Sequence, residues 1–160
     1  LCDKVIIDDV HAAYSVTEHF INKGLKKIAL ISTVDYVSVG KLRTEGYMNA
    51  LRDNNIKIDE NLILKIEDIE DCSTPIEELV KSNDFEAVFA VNELFAVTVI
   101  KAAHKLGKKV PDDFSVIGFT DGIISKYSTP SITTISQNGI EMGRKSAKML
   151  IERLESEEEN

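Results

Sequence analysis

The sequence predicts an α/β chain whose mainly parallel sheet is covered by helices on both faces, a three-layer sandwich. Two observations lead there. Short apolar runs recur at residues 5–7, 27–31, 62–66, 87–91, 114–117 and 132–135, separated by stretches long enough for crossover helices. The runs are continuous, without the apolar–polar alternation of a strand that has one face in water, and continuous runs belong to strands buried on both faces.

The first run leads into Asp8 or Asp9, either of which can cap a helix reaching about Lys23. Ala13, Val16, Phe20 and Ile21 form its apolar stripe, and Gly24 is placed to end it in a left-handed turn. A second helix is expected over about 41–54, with Gly46, Tyr47, Ala50 and Leu51 on one face. Thr74-Pro75-Ile76-Glu77 has the spacing of a capping box with a first-turn proline, so the third helix is expected to start with Thr74 as its cap. The fourth begins near Asn92 and ends at Gly107. Pro111 then directs the chain into the strand at 114–117, and a last helix runs over about 138–154. Eight of the ten residues at 94–103 are apolar, more than one buried face requires, so this helix either lies inside a larger core or forms a subunit interface.

At 160 residues, with 43% hydrophobic and 29% charged, the chain fits one globular domain, or one plus part of a second. Of its net charge of −8, half comes from the last nine positions, which hold five acids and one arginine. No basic block could neutralise a string of phosphates, so the chain by itself is not expected to bind DNA. Cys2 and Cys72 lack a CxxC or histidine partner and read as reduced thiols of a cytosolic protein. No apolar run approaches the ~18 residues of a membrane span. The N-terminus lacks a basic segment followed by an apolar one, so neither export signal nor membrane anchor is expected.

No catalytic constellation stands out. There is no GxGxxG after a strand, no GxxxxGK[ST], no HExxH and no GxSxG. His11, His19 and His104 fall on helices without a third ligand, and the pairs Asp8-Asp9, Glu77-Glu78 and Asp112-Asp113 suit caps and turns better than acid/base dyads. No catalytic residue, metal site or cofactor is expected. In open α/β sheets small molecules bind beyond the carboxyl ends of the strands. Those positions here are Ser32-Thr33-Val34-Asp35-Tyr36, Asn92-Glu93 and Thr120-Asp121-Gly122, where polar groups converge from three strands.

The segment Val110-Pro111-Asp112-Asp113-Phe114-Ser115-Val116-Ile117-Gly118-Phe119, followed by Thr129-Pro130-Ser131-Ile132-Thr133-Thr134-Ile135-Ser136-Gln137 and Met142-Gly143, closely resembles the effector-binding core of LacI/GalR-family regulators. Glu18-His19-Phe20-Ile21 with Gly24, Lys27-Ile28-Ala29, Arg43-Thr44-Glu45-Gly46-Tyr47 and Val91-Asn92-Glu93 agree in order and spacing. The resemblance implies a Rossmann-like fold of the periplasmic binding protein type I, in which two subdomains enclose an effector. Residues 1–137 then correspond to the C-terminal subdomain, and 138–160 to a helix that packs on the N-terminal subdomain plus an acidic tail. The implied function is the effector-binding and dimerisation part of a cytoplasmic transcription regulator that is not an enzyme. Its partners would be a small-molecule effector, a sugar or sugar derivative, a second copy of the chain, and operator DNA reached only through a helix-turn-helix domain absent here, with no membrane partner. The alternative is an exported or membrane-tethered sugar receptor of the same fold; a third possibility, a flavodoxin-like enzyme, would require turnover dependent on Asp121 or Arg43.

Carried over by position, Arg43 would contact the effector, its planar fork suiting paired hydroxyls or a carboxylate; the bland alternative is a surface arginine at a helix start. Asn92 would hydrogen-bond the ligand and can also cap its helix. The family usually places an aspartate directly after the Gly-aromatic pair. Thr120 stands there instead, with Asp121 next, so either Asp121 takes over or the effector differs from a simple neutral sugar. Val37 and Val39 replace frequent polar contacts, leaving Ser38 and Tyr36 as local hydrogen-bonding groups; Tyr36 would stack on a sugar ring or pack within its loop. The dimer interface is expected at Leu94, Val97, Ile100, Lys101 and Tyr127.

Overall fold

A computed structural model describes residues 3–82 and 84–158. Strands form at Ile28–Thr33 (β1), Ile63–Ile66 (β2), Ala87–Ala90 (β3), Ser115–Phe119 (β4) and Thr133–Ile135 (β5). All pairings are parallel, in the order β2-β1-β3-β4-β5. Every residue of β1 and β3 is buried, as their continuous apolar runs require, while the edge strands β2 and β5 are more open.

Helices form at Asp9–Asn22 (α1), Ser38–Asp53 (α2), Ser73–Ser82 (α3), Glu93–Lys105 (α4), Ile123–Tyr127 (α5) and Gly139–Glu158 (α6). α1 and α2 pack together on one side of the sheet, α2 against β1 and α1 against β3, and α3 and α4 pack together on the other. The two apolar layers meet the sheet through Phe20, Tyr47 and Leu51 on one side and Ile76, Phe95 and Val99 on the other. Tyr47 reaches from α2 to the sheet and donates its hydroxyl to the Ile28 carbonyl at 2.8 Å; burial holds its pKa well above the ordinary tyrosine value.

α1 and α4 stop as the glycines suggest. Gly24 and Gly107 adopt positive φ, and the next residue's amide reaches back to the Phe20 and Ala103 carbonyls at 3.1 and 2.8 Å, the hydrogen bond of a Schellman turn. α2 ends the same way without a glycine, with Asn55 left-handed and Ile56 N–H donating to Leu51. At the other end of α1, Asp8 is the cap and accepts from His11 N–H at 2.9 Å.

Four sequence expectations change. Residues 5–7 form no strand: they pair with none of the five strands and lead straight into α1, and Ile7 packs on the core while Ile6 is 78% exposed. α3 starts at Ser73, because the Cys72 carbonyl accepts the first helical hydrogen bond from Ile76 N–H. Thr74 is therefore inside the helix, and Glu77 pairs with Lys105 at 2.6 Å instead of closing a capping box. α2 begins three residues earlier than expected, at Ser38, and the short helix α5 had no signal in the sequence. Cys72 is free and buried; Cys2 lies outside the described residues. No described helix is long and apolar enough to cross a membrane.

Candidate ligand-binding site

The chain runs from β1 outward to β2, then returns to place β3 on the other side of β1. That reversal is the switch point of an open parallel sheet, where the loops after β1 and β3 diverge and leave a crevice. The start of α1, the start of α2 and the segments after β3 and β4 all meet at this end of the sheet.

Arg43 occupies the crevice floor. Its Nε and Nη2 lie 2.8 and 2.7 Å from Asp9 Oδ1, and Nη1 donates to the Val91 carbonyl, so three elements converge on one guanidinium. The Phe119 ring stacks on the group, with Cζ 3.4 Å from the ring centroid. Arg43 is only 3% exposed; burial pulls its pKa below the ordinary arginine value while Asp9 opposes the shift. A guanidinium stays charged even so, and its charge is matched within the chain. These bonds use three of its five N–H donors.

α2 is seated by a polar network beneath its first turns. Ser32 donates to the Gly40 carbonyl at 3.1 Å, Thr44 to the same carbonyl at 2.7 Å, and Lys65 bridges Thr44 and Asp35 at 2.8 Å each. The hydrogen bond from Lys65 holds the Asp35 carboxyl below its ordinary range. Gly40 is required by contact: a Cβ there would lie 2.0 Å from Thr33 Oγ1.

Asn92 stands two residues past the end of β3 and caps α4, its side-chain oxygen accepting from Phe95 N–H at 2.8 Å. That use leaves the amide NH2 as the half able to meet a ligand. Thr120 follows β4 in a left-handed conformation with φ +82°, its N–H donating to the Ile135 carbonyl at 2.9 Å. Thr120 and Asp121 line a cavity of about 580 Å³ together with Ser136, Gln137, Asn138 and Arg144. Tyr36, 78% exposed, and Ser38 stand in and beside the open loop that begins α2.

The predicted ligand residues thus fall in two groups at one end of the sheet. Arg43 and Asn92 are joined through Val91, while Thr120 and Asp121 sit farther along, toward the start of α6. Asp9 and Phe119 complete the first group beside Arg43, beyond the residues expected from the sequence. The doubled acid Asp8-Asp9 carried a signal for Asp9, since a helix needs only one cap; the stacking of Phe119 follows from tertiary placement alone.

Among the expected interface residues, Ile100 is 3% exposed and belongs to the core, so it is not on an open face. α3 and α5 cover much of α4, which explains its excess of apolar residues. Leu94, Val97 and Lys101 remain on the outer side of α4 at one-turn spacing, and Tyr127 on α5 is 74% exposed.

Fold and crevice together define a parallel α/β domain suited to holding a small ligand beyond its strand ends. The chain belongs to the periplasmic binding protein-like domain family, whose family model matches residues 17–160. Its relatives are LacI-family regulators. It is 35% identical over 142 residues to the HTH-type transcriptional regulator DegA of Bacillus subtilis, covering 88% of this chain and 42% of that protein. It is 35% identical over 158 residues to the HTH-type transcriptional regulator MalR of Clostridium butyricum, covering 96% and 47%. Among solved structures it is similar to a transcriptional regulator CelR–cellobiose complex, with a TM-score of 0.86 at 27% identity over 94% of this chain and 47% of that one. The chain spans about half the length of the curated relatives it matches.

Proposed function

We propose that this chain is the C-terminal half of the effector-binding domain of a cytoplasmic, non-enzymatic LacI-type regulator. Residues 1–137 form the subdomain, and 138–160 a helix and acidic tail that pack on an N-terminal subdomain outside this chain. The observation that carries the proposal is the convergence of Arg43, Asn92 and the Thr120-Asp121 segment at the switch-point end of a sheet whose sequence matches regulators along nearly its full length. The effector is a sugar or sugar derivative, in keeping with the cellobiose held by one structural neighbour. Arg43 and Asn92 donate to it from the floor, Thr120 and Asp121 meet it from the far side, where the Asp121 carboxylate accepts, and Ser38 and Tyr36 meet it from the lip.

α6 supports the division of the chain. None of its residues from 139 to 156 is buried, and Ile140, Leu150, Ile151 and Leu154 all lie more than half exposed, a state that a facing subdomain would remove. Two copies associate through the outer side of α4 and α5, at Leu94, Val97, Lys101 and Tyr127, and operator DNA is reached through a helix-turn-helix domain elsewhere in the protein. An effector then acts by binding one arrangement of the subdomains more tightly than another. The alternative of an exported receptor finds no support among the relatives, which are regulators.

The test uses the full-length gene product. Thermal-shift screening with mono- and disaccharides, cellobiose included, should find a ligand that raises the melting temperature and changes operator affinity. Asn92→Ala should weaken that ligand by at least about tenfold while the protein still folds, through loss of one or more hydrogen bonds. Retention of full affinity in Asn92→Ala, Thr120→Ala and Asp121→Ala would place the ligand elsewhere.

A further inference from the structure

Glu93 stands directly after Asn92 in the first turn of α4, yet its carboxylate is turned to the segment after β4. Oε2 accepts from the Ser125 amide at 3.2 Å and from the Ser125 hydroxyl at 3.1 Å. The backbone of residue 122 is seated on the same carboxylate: a Cβ on Gly122 would lie 2.2 Å from both of its oxygens. Ser125 is itself 3% exposed, and its carbonyl accepts from Ile132 N–H at 3.0 Å and from the Ser128 hydroxyl at 3.1 Å. One side chain thus holds the loop at 120–122, the start of α5 and, through Ser125, the approach to β5.

The two ends of that segment face different surroundings. Thr120 and Asp121 line the cavity at the strand ends, while Ile123 and Tyr127 are 76% and 74% exposed on the outside of the subdomain. Beyond these bonds α5 has few anchors. It has only five residues, its cap position is a glycine without a side-chain hydrogen bond, and its broad packing is against α4 alone. A helix this short has no stability of its own and takes its position from what anchors it.

We propose that Glu93 is a positioning residue that makes the 120–122 loop and α5 move as one body, so that a displacement at Thr120 and Asp121 is passed to the outer face at Ile123 and Tyr127. The ligand role of the loop and the dimer role of the outer face rest on the function proposed above; the mechanical link does not. Hydrogen bonds to an ionised carboxylate are stronger than neutral ones, and two donors from one residue fix orientation as well as distance. Coupling requires a shared element that both ends bias, and the Glu93-anchored segment is that element.

The experiment is an amide chemical-shift and hydrogen-exchange comparison on the isotopically labelled chain, which needs neither ligand nor dimer. Glu93→Ala should speed exchange at Ser125 and its neighbours by roughly tenfold, the equivalent of one such hydrogen bond, and shift the Thr120 and Asp121 amides. Glu93→Gln, which keeps an oxygen acceptor, should restore part of the protection. Tyr127→Ala should move the Thr120 and Asp121 amides in the wild-type background and move them far less in the Glu93→Ala background. Equal shifts in both backgrounds, or unchanged Thr120 and Asp121 amides in Glu93→Ala, overturn the proposal. Should Glu93→Ala fail to fold, Ser125→Ala removes one of the two donors and carries the same cycle. A failed ligand screen would remove the proposed function and leave this outcome standing.

Discussion

Thr120 is the residue at which local conformation and side chain disagree most. A β-branched side chain at φ +82° crowds its own backbone, at a cost of about 1–3 kcal/mol. Asparagine and aspartate tolerate the left-handed region better, and the other two non-glycine residues with positive φ here, Asn55 and Asn138, are both asparagines. Thr120→Asn should therefore stabilise the fold by about 1 kcal/mol in urea denaturation; a loss of stability would mean that the threonine makes contacts that outweigh its strain. The aspartate that the family resemblance places at this position suits the conformation better than the threonine does. Arg43 shows the opposite relation, since every bond it makes agrees with its placement. Its charge is matched by Asp9, so in the proposed site it suits a neutral polar ligand better than an anion.

Between elements, two contacts set the architecture. α1 and α2 approach so closely that a Cβ on Gly46 would lie 2.1 Å from the Val10 carbonyl and 2.9 Å from Ala13 Cβ. Gly46→Ala must push the helices apart and should cost about 1–3 kcal/mol, or more because backbone is involved; an unchanged denaturation midpoint would show that the helices can separate freely. At the opposite end of the sheet, Glu86 accepts the Lys26 and Lys27 amides at 2.7 and 2.9 Å, tying the start of β1 to the start of β3. Those backbone hydrogen bonds hold its carboxyl below the ordinary glutamate value of 4.5. A depressed carboxylate pKa adds stability that is present above the unfolded value and lost as pH falls through the folded one. Glu86→Gln should be less stable than wild type at pH 7, and the gap in melting temperature should close as the pH is lowered below 4.5. A gap that stayed constant across that range would exclude the linkage.

For the whole molecule, the open questions are which surfaces are covered and by what. The outer side of α4 carries Leu94, Val97 and Lys101, with Tyr127 beside it on α5. If two copies associate here as proposed above, Val97→Asp should yield monomers, read as a halved mass by light scattering. Val97 is partly packed on the core, so Tyr127→Glu, at a well-exposed position, serves as the second variant. Unchanged mass in both would remove this face as the interface. α6 has no buried residue from 139 to 156, and the function proposed above assigns its cover to a facing subdomain.

By itself the sequence determined the α/β class, the parallel sheet, the glycine stops after α1 and α4, and the end of the sheet at which Arg43, Asn92 and Thr120 stand. Those features depend on periodicity, on φ preferences and on the direction of parallel strands, all of which are local or follow from a single rule of topology. Tertiary structure decided the rest. Whether residues 5–7 are a strand depends on a free neighbouring edge, and whether Ile100 faces a partner or the core depends on where α3 and α5 lie. The Asp9–Arg43–Phe119 cluster joins residues far apart in the chain, and no spacing rule relates them. Glu93 was visible only as the neighbour of Asn92; its reach to Ser125 depends on two segments 32 residues apart being folded against each other. Contacts of that kind are set by packing of the whole chain, which a window of neighbouring residues does not contain.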